Sequence, residues 1–128
     1  MVPERSVLVV DRSEDTREVL RTALERRGVR IFSASRARRG LELARRHHPD
    51  LIVLDLELGN SGAEEVCAPF ARESRSRQTP LVLLGSVRRG AGKIPEGEFV
   101  PKPYHYGPLI RKIEELLGAT GQTFARSA

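Results

Sequence analysis

The stretch Val7-Leu8-Val9-Val10-Asp11-Arg12-Ser13-Glu14-Asp15 decides how the chain is read. An unbroken aliphatic run, with no polar alternation, describes a strand buried on both faces. The run ends in an acid, Asp11, and a cation, Arg12, follows at once. Ser13 is placed to cap a helix, with Glu14 and Asp15 in the first turn, where the helix dipole favours acids. A second run, Leu51-Ile52-Val53-Leu54-Asp55, also ends in an acid. Two acids at the ends of two buried strands suggest a metal site. Arg12 argues against one, because a guanidinium cannot ligate a cation.

Further elements follow on either side. The first helix runs to about Arg27, with Val19, Leu20, Ala23 and Leu24 as its apolar stripe and Gly28 as its stop. Val29–Ala34 is a second, less apolar strand near a sheet edge. Ser35 caps a second helix that turns Ala37, Leu41 and Ala44 inward and ends at His47-His48-Pro49. Those adjacent histidines do not share a helix face, which favours a polar helix end over a ligand pair. The third strand is Leu51–Leu56, followed by the tight loop Glu57–Gly62. A third helix spans about Ala63–Glu73; Pro69 inside it predicts a kink or a late start. Arg72–Thr79 reads as a polar linker and Leu81–Leu84 as a fourth strand.

The rhythm breaks between Gly85 and Gly97. That segment, GSVRRGAGKIPEG, holds four glycines and one proline and has no helical period. A loop is predicted where a fourth helix should stand. Glu98–Val100 is a short fifth strand, closed by Lys102-Pro103. Pro108 suits the first position of a last helix. Leu109, Ile110, Ile113, Leu116 and Leu117 form its core face and Gly118 its C-cap. Residues 1–118 read as one domain and 119–128 as a C-terminal tail.

The bulk numbers agree with one small globular domain. The chain has 128 residues, 39% hydrophobic and 30% charged, with a net charge of +5. No apolar run is long enough to span a membrane, and no signal-like segment opens the chain. The one cysteine, Cys67, can make no internal disulfide, which fits a cytoplasmic location. Nineteen of the 22 basic residues are arginines, but they are scattered over helix faces, without aromatic residues between them. That pattern disfavours a nucleic-acid surface.

Alternating strands and helices imply an open parallel sheet with helices on both faces, whose site lies at the carboxyl ends of the strands. Asp11, Asp55, Gly85 and Lys102 all fall there. With "VLVVD" before a capped helix, "PDLIVLDLEL", "TPLVLL" and "KP" in this order, the chain resembles the receiver domain of two-component response regulators over about residues 5–117. The resemblance implies a doubly wound, flavodoxin-like fold with five parallel strands in the order 2-1-3-4-5, a sheet order already familiar for such receivers.

It also implies a site. Asp55 takes the position of the phosphoacceptor, phosphorylated by a histidine kinase. Lys102 takes that of the lysine that binds the phosphoryl oxygens. A Mg2+ ion would be held by Asp11, Asp55 and the backbone carbonyl of Glu57. Several positions depart from the family. Its second acid after the first strand is Arg12 here. Arg12 either ties the carboxylates together in place of the metal or turns out to solvent. The hydroxyl residue ending the fourth strand is Gly85, with Ser86 next as a substitute phosphoryl-binding residue. The aromatic switch position is Phe99. The missing fourth helix removes part of the family's usual output face.

These departures favour an atypical or pseudo-receiver that acts through a protein partner, without an enzymatic activity of its own. The alternative is a conventional receiver phosphorylated at Asp55. Two remote alternatives are a small phosphatase, because "DLEL" at 55–58 is faintly similar to the motif of haloacid-dehalogenase-type phosphatases, and a basic nucleic-acid-binding module.

Overall fold

The computed structural model describes residues 4–59, 62–86 and 97–119. Its elements are β1 (Ser6–Val10), α1 (Glu14–Glu25), β2 (Arg30–Ala34), α2 (Ala37–His47), β3 (Leu51–Asp55), α3 (Ala63–Arg77), β4 (Leu81–Ser86), β5 (Glu98–Lys102) and α4 (Tyr106–Ala119). All strand pairs are parallel, and the sheet order is β2-β1-β3-β4-β5. This is the doubly wound order expected.

Side-chain alternation splits each central strand between two cores. Leu8, Val10, Ile52, Leu54, Leu81 and Leu83 face Leu43 and Ala44 of α2 and Val66, Phe70 and Ala71 of α3. Val7, Val9, Leu51, Val53, Val82 and Leu84 face Leu20 and Leu24 of α1 and Leu109, Ile113 and Leu117 of α4. Each aliphatic run therefore serves both faces, which is why the runs are unbroken. An ion pair between Arg27, just past the end of α1, and Glu114 of α4 adds a further link.

Several boundaries differ from those read in the sequence. The helix α3 neither starts late at Pro69 nor stops near Glu73; it runs on to Arg77. Proline removes the donor for the Glu65 carbonyl, but Glu65 is exposed and water can serve there. The helix stops at Gln78, which adopts a left-handed φ of 55°. Arg72–Arg77 is thus helix, not linker. Arg36, not Ser35, occupies the N-cap of α2, and its side chain makes no capping bond. The strands β4 and β5 each run two residues longer than predicted, pairing Gly85 with Pro101 and Ser86 with Lys102. Pro101 is tolerated because β5 lies at the sheet edge. Tyr106 opens α4, so Pro108 falls within its first turn and Gly118 inside the helix. The loop predicted in place of a fourth helix falls on residues 87–96, and the tail on 120–128; both lie outside the described residues.

Candidate functional site

Register builds the site at the carboxyl edge of the sheet. Val10 pairs with Leu54, so Asp11 and Asp55, one residue on, stand side by side at the ends of β1 and β3. Asp55 pairs with Leu84 and Ser86 pairs with Lys102, which carries the site across β4 to β5. Asp11 and Asp55 are only 3% and 4% exposed, and Thr16 is the one other buried polar side chain among the described residues. A cleft opens above them, with Arg12, Ser13, Thr16, Glu57, Ser86, Lys102, Pro103, Tyr104 and Tyr106 completing its walls.

Each acid is held by the loop that follows it. Asp11 Oδ1 accepts from the Ser13 amide at 2.8 Å. The Ser13 hydroxyl in turn caps α1 by accepting from the Thr16 amide at 3.1 Å. Asp55 Oδ1 accepts from the Glu57 amide at 3.0 Å and from Lys102 Nζ at 3.0 Å. Among the described residues, no bond engages the other oxygen of either carboxylate. Lys102 Nζ also reaches Glu57 Oε1 at 3.2 Å, and the Ser86 amide donates to Glu57 Oε2 at 2.8 Å.

The electrostatics follow from these contacts. Burial pushes the Asp11 carboxyl above its ordinary range; the Ser13 amide opposes this and the Asp55 charge adds to it. Bonds from Ser86, by hydroxyl and amide, and then from Lys102 hold Glu57 down to about 2. Burial pulls Lys102 down, but its bonds and attraction to Asp55 and Glu57 outweigh that and leave it above the ordinary lysine value.

The structure brings together Asp11, Asp55, Glu57, Ser86 and Lys102. Arg12 lines the same cleft, but its side chain is exposed and makes no ion pair with Asp11 or Asp55 among the described residues. Of the two placements open to Arg12, the bridge between the carboxylates is not made among the described residues, and the side chain is exposed. An exposed guanidinium is well hydrated and gains little by entering a site where Lys102 already pairs with Asp55. Arg17 instead approaches Asp11, donating to its backbone carbonyl at 2.8 Å. Gly85 and Phe99 meet beside the cleft: a Cβ added at Gly85 would lie 3.6 Å from Phe99 Cε1 and 3.5 Å from Leu56.

Three features were not foreseen from the sequence. One is the Glu57 side chain, for which only the backbone carbonyl was assigned. The second is the Ser86 amide, since the hydroxyl had drawn notice. The third is the wall made by Tyr104 and Tyr106, whose rings meet edge to face at 5.9 Å. Tyr106 Oη is 3.0 Å from the buried Thr16 hydroxyl. Two tyrosines placed i, i+2 after Lys102-Pro103 are the only signal for it.

A divalent cation can be tested against these donors. Two buried carboxylates, each with one oxygen unengaged, face one cleft. Magnesium commonly keeps several waters and needs only one or two carboxylates. No cluster of three or more acidic, histidine or cysteine side chains that could hold a metal occurs among the described residues. The residues thus fit a hydrated magnesium ion on Asp11, Asp55 and the Glu57 carbonyl, and not an all-protein cage.

Comparison with known proteins agrees with this geometry. The family model described as the response regulator receiver domain matches residues 7–114. The chain is 32% identical over 126 residues to the KDP operon transcriptional regulatory protein KdpE of Escherichia coli, covering 94% of this chain and 54% of that protein. It therefore spans about half the length of that relative. The polar-differentiation response regulator DivK of Brucella ovis is 26% identical over 119 residues, covering 89% of this chain and 97% of DivK. Among solved structures, the receiver domain of Francisella response regulator 1452 superposes with a TM-score of 0.77 at 20% identity, covering 92% of this chain and all (100%) of that one. The Vibrio cholerae chemotaxis protein CheY4 gives a TM-score of 0.75 at 20% identity, over 89% and 99% of the two chains; at such identity these two speak to the fold alone. No helix among the described residues is long and apolar enough to cross a membrane. With its sheet order, its strand-end acids and a family match over nearly its whole length, the chain belongs to the response regulator receiver domains of two-component signalling.

Proposed function

We propose that this receiver accepts a phosphoryl group on Asp55. The observation that supports this reading is the pairing of buried Asp55 with Lys102 at 3.0 Å while Arg12 is turned to solvent. Asp55 Oδ1 is held by the Glu57 amide and Lys102, so the other oxygen is the nucleophile. It attacks the phosphorus of a phosphohistidine on a kinase. The P–N bond breaks, its electron pair goes to the imidazole nitrogen, which takes a proton from water, and Asp55 becomes an acyl phosphate. Lys102 then faces the phosphoryl oxygens and offsets their charge. Magnesium, when bound by Asp11, Asp55 and the Glu57 carbonyl, supplies further charge neutralisation.

Gly85 favours a second reading. It brings no hydroxyl to the end of β4, so the fold could act as a pseudo-receiver, binding a protein partner without phosphotransfer. An intact-mass assay separates the two. The protein is incubated with acetyl phosphate, with and without magnesium, beside Asp55→Asn. Addition of one phosphoryl group that needs magnesium and is absent from the variant is the expected result. No addition under any condition refutes phosphoacceptance and leaves the pseudo-receiver.

A further inference from the structure

We propose that the Glu57 carboxylate is a built-in anion that occupies the phosphoryl-binding position of this site and must let go before Asp55 can be modified. This rests on the reading of Asp55 as the phosphoacceptor and concerns its regulation.

The geometry carries it. Glu57 Oε2 takes the Ser86 amide at 2.8 Å, and Oε1 takes Lys102 Nζ at 3.2 Å. The same ammonium lies 3.0 Å from Asp55 Oδ1. A phosphoryl group on Asp55 would sit among these donors, because they are the amide and the cation at the carboxyl ends of β4 and β5. A carboxylate and a phosphoryl group present the same kind of anionic oxygen acceptor. Glu57 therefore already satisfies the two donors that an incoming group would need.

Glu57 is a competitor that can leave. Its side chain is 45% exposed, so it can swing to water without stranding a buried charge. The Ser86 amide and Lys102 are then released together. Gly85 offers no hydroxyl here, so the Ser86 and Lys102 groups held by Glu57 are the donors at stake. Glu57 thus sets a threshold on modification: the unmodified site is already electrostatically closed, and entry of a phosphoryl group costs the loss of the Glu57 contacts.

The test is the rate of phosphoryl addition from acetyl phosphate with magnesium, followed by intact mass. It compares wild type, Glu57→Ala, Glu57→Asp and Asp55→Asn. The Glu57→Ala protein should be modified about tenfold faster, the worth of one charge-assisted hydrogen bond at a half-exposed position. Glu57→Asp keeps the charge but is one methylene too short to reach both donors, so it should behave like Glu57→Ala. Modification of the Glu57→Ala protein where wild type is inert also supports the proposal, provided Asp55→Asn stays unmodified.

A fast Glu57→Ala with a Glu57→Asp as slow as wild type would mean simple charge repulsion, and overturns it. Wild type that is modified as fast as Glu57→Ala overturns it too, and leaves Asp55 standing as the phosphoacceptor. No modification of any variant removes the phosphoacceptor reading and this inference with it.

Discussion

Among the described residues Lys102 is the cation that pairs with these carboxylates, and its removal should be felt mainly through buried Asp55, because its second partner, Glu57, is half-exposed. The Nζ–Oδ1 separation is 3.0 Å. Coulomb's law at that distance gives about 1.4 kcal/mol at the permittivity of water and about 5.5 kcal/mol at an effective value of about 20. Desolvation offsets part of this. Asp55 is nearly buried, whereas Lys102 is 29% exposed at the cleft. A net coupling of about 2 kcal/mol is the reasonable middle. Lys102→Met keeps the stem and removes the charge. It should lower stability by about 2 kcal/mol at pH 7, because two neighbouring buried acids then lose their cation. The same change in an Asp55→Asn background should cost under about 1 kcal/mol, the worth of the half-exposed Lys102–Glu57 pair that remains. Urea unfolding followed by circular dichroism measures all four corners of this cycle. With a slope of about 2 kcal/mol per molar, the midpoint of the single variant falls by about 1 M. Equal losses in both backgrounds would refute the pairing and with it the electrostatic account of the site.

Two further changes test the fold around the site. Asp11 carries a raised pKa, so the folded state holds that proton longer than the unfolded chain, and the contribution of Asp11 to stability falls as the pH climbs above about 3.8. Asp11→Asn keeps the oxygen that accepts from Ser13; it should be about 1 kcal/mol more stable at pH 7, with the gain gone by pH 3, and a pH-independent difference in urea melts would sink this. Gly40 on α2 is packed so closely that an added Cβ would lie 2.6 Å from Val10 Cγ2 and 3.3 Å from Phe70 Cζ. Gly40→Ala gains up to about 1 kcal/mol of helix propensity but overpacks a stiff valine and a fully buried phenylalanine. A net loss of about 1 kcal/mol in thermal or urea melts is expected; a stabilised variant contradicts the packing.

The strands were legible because an unbroken aliphatic run has one stable use, a central parallel strand. The acids that end such runs were legible for the same reason: Asp11 and Asp55 had to emerge at one edge of the sheet. Lys102 followed from its place after the fifth run. The partners of Glu57 were not legible, because its contacts need the exact register of β4 against β5, and both strands extend beyond their apolar cores. Pattern reading ended β4 at Leu84 and β5 at Val100, short of the residues that carry the donors. The direction of Arg12 was not legible either. Position places its Cα at the cleft, but a long exposed side chain is placed by competition between water and local partners, which sequence alone does not weigh. Arg36 displaced Ser35 at the N-cap of α2 through backbone geometry, and no side-chain bond rewards the choice.

The departure at Arg12 therefore changes less than it first suggests. Replacing an acid with a cation beside a metal site has two separable effects: a ligand is lost, and a positive charge is gained nearby. Had the guanidinium bound Asp11 and Asp55, the second effect would have removed the need for an ion. It does not bind them. The cleft keeps the three carboxylates of Asp11, Asp55 and Glu57, and among the described residues the cation that pairs with Asp55 and Glu57 is Lys102. Asp11 is left buried with its carboxyl pushed up from its ordinary value, first by burial itself and then by the neighbouring Asp55 charge. A divalent ion held by the ligands that remain would offset the negative charge of these groups. The loss of one ligand should weaken its affinity, while the electrostatic demand for it persists.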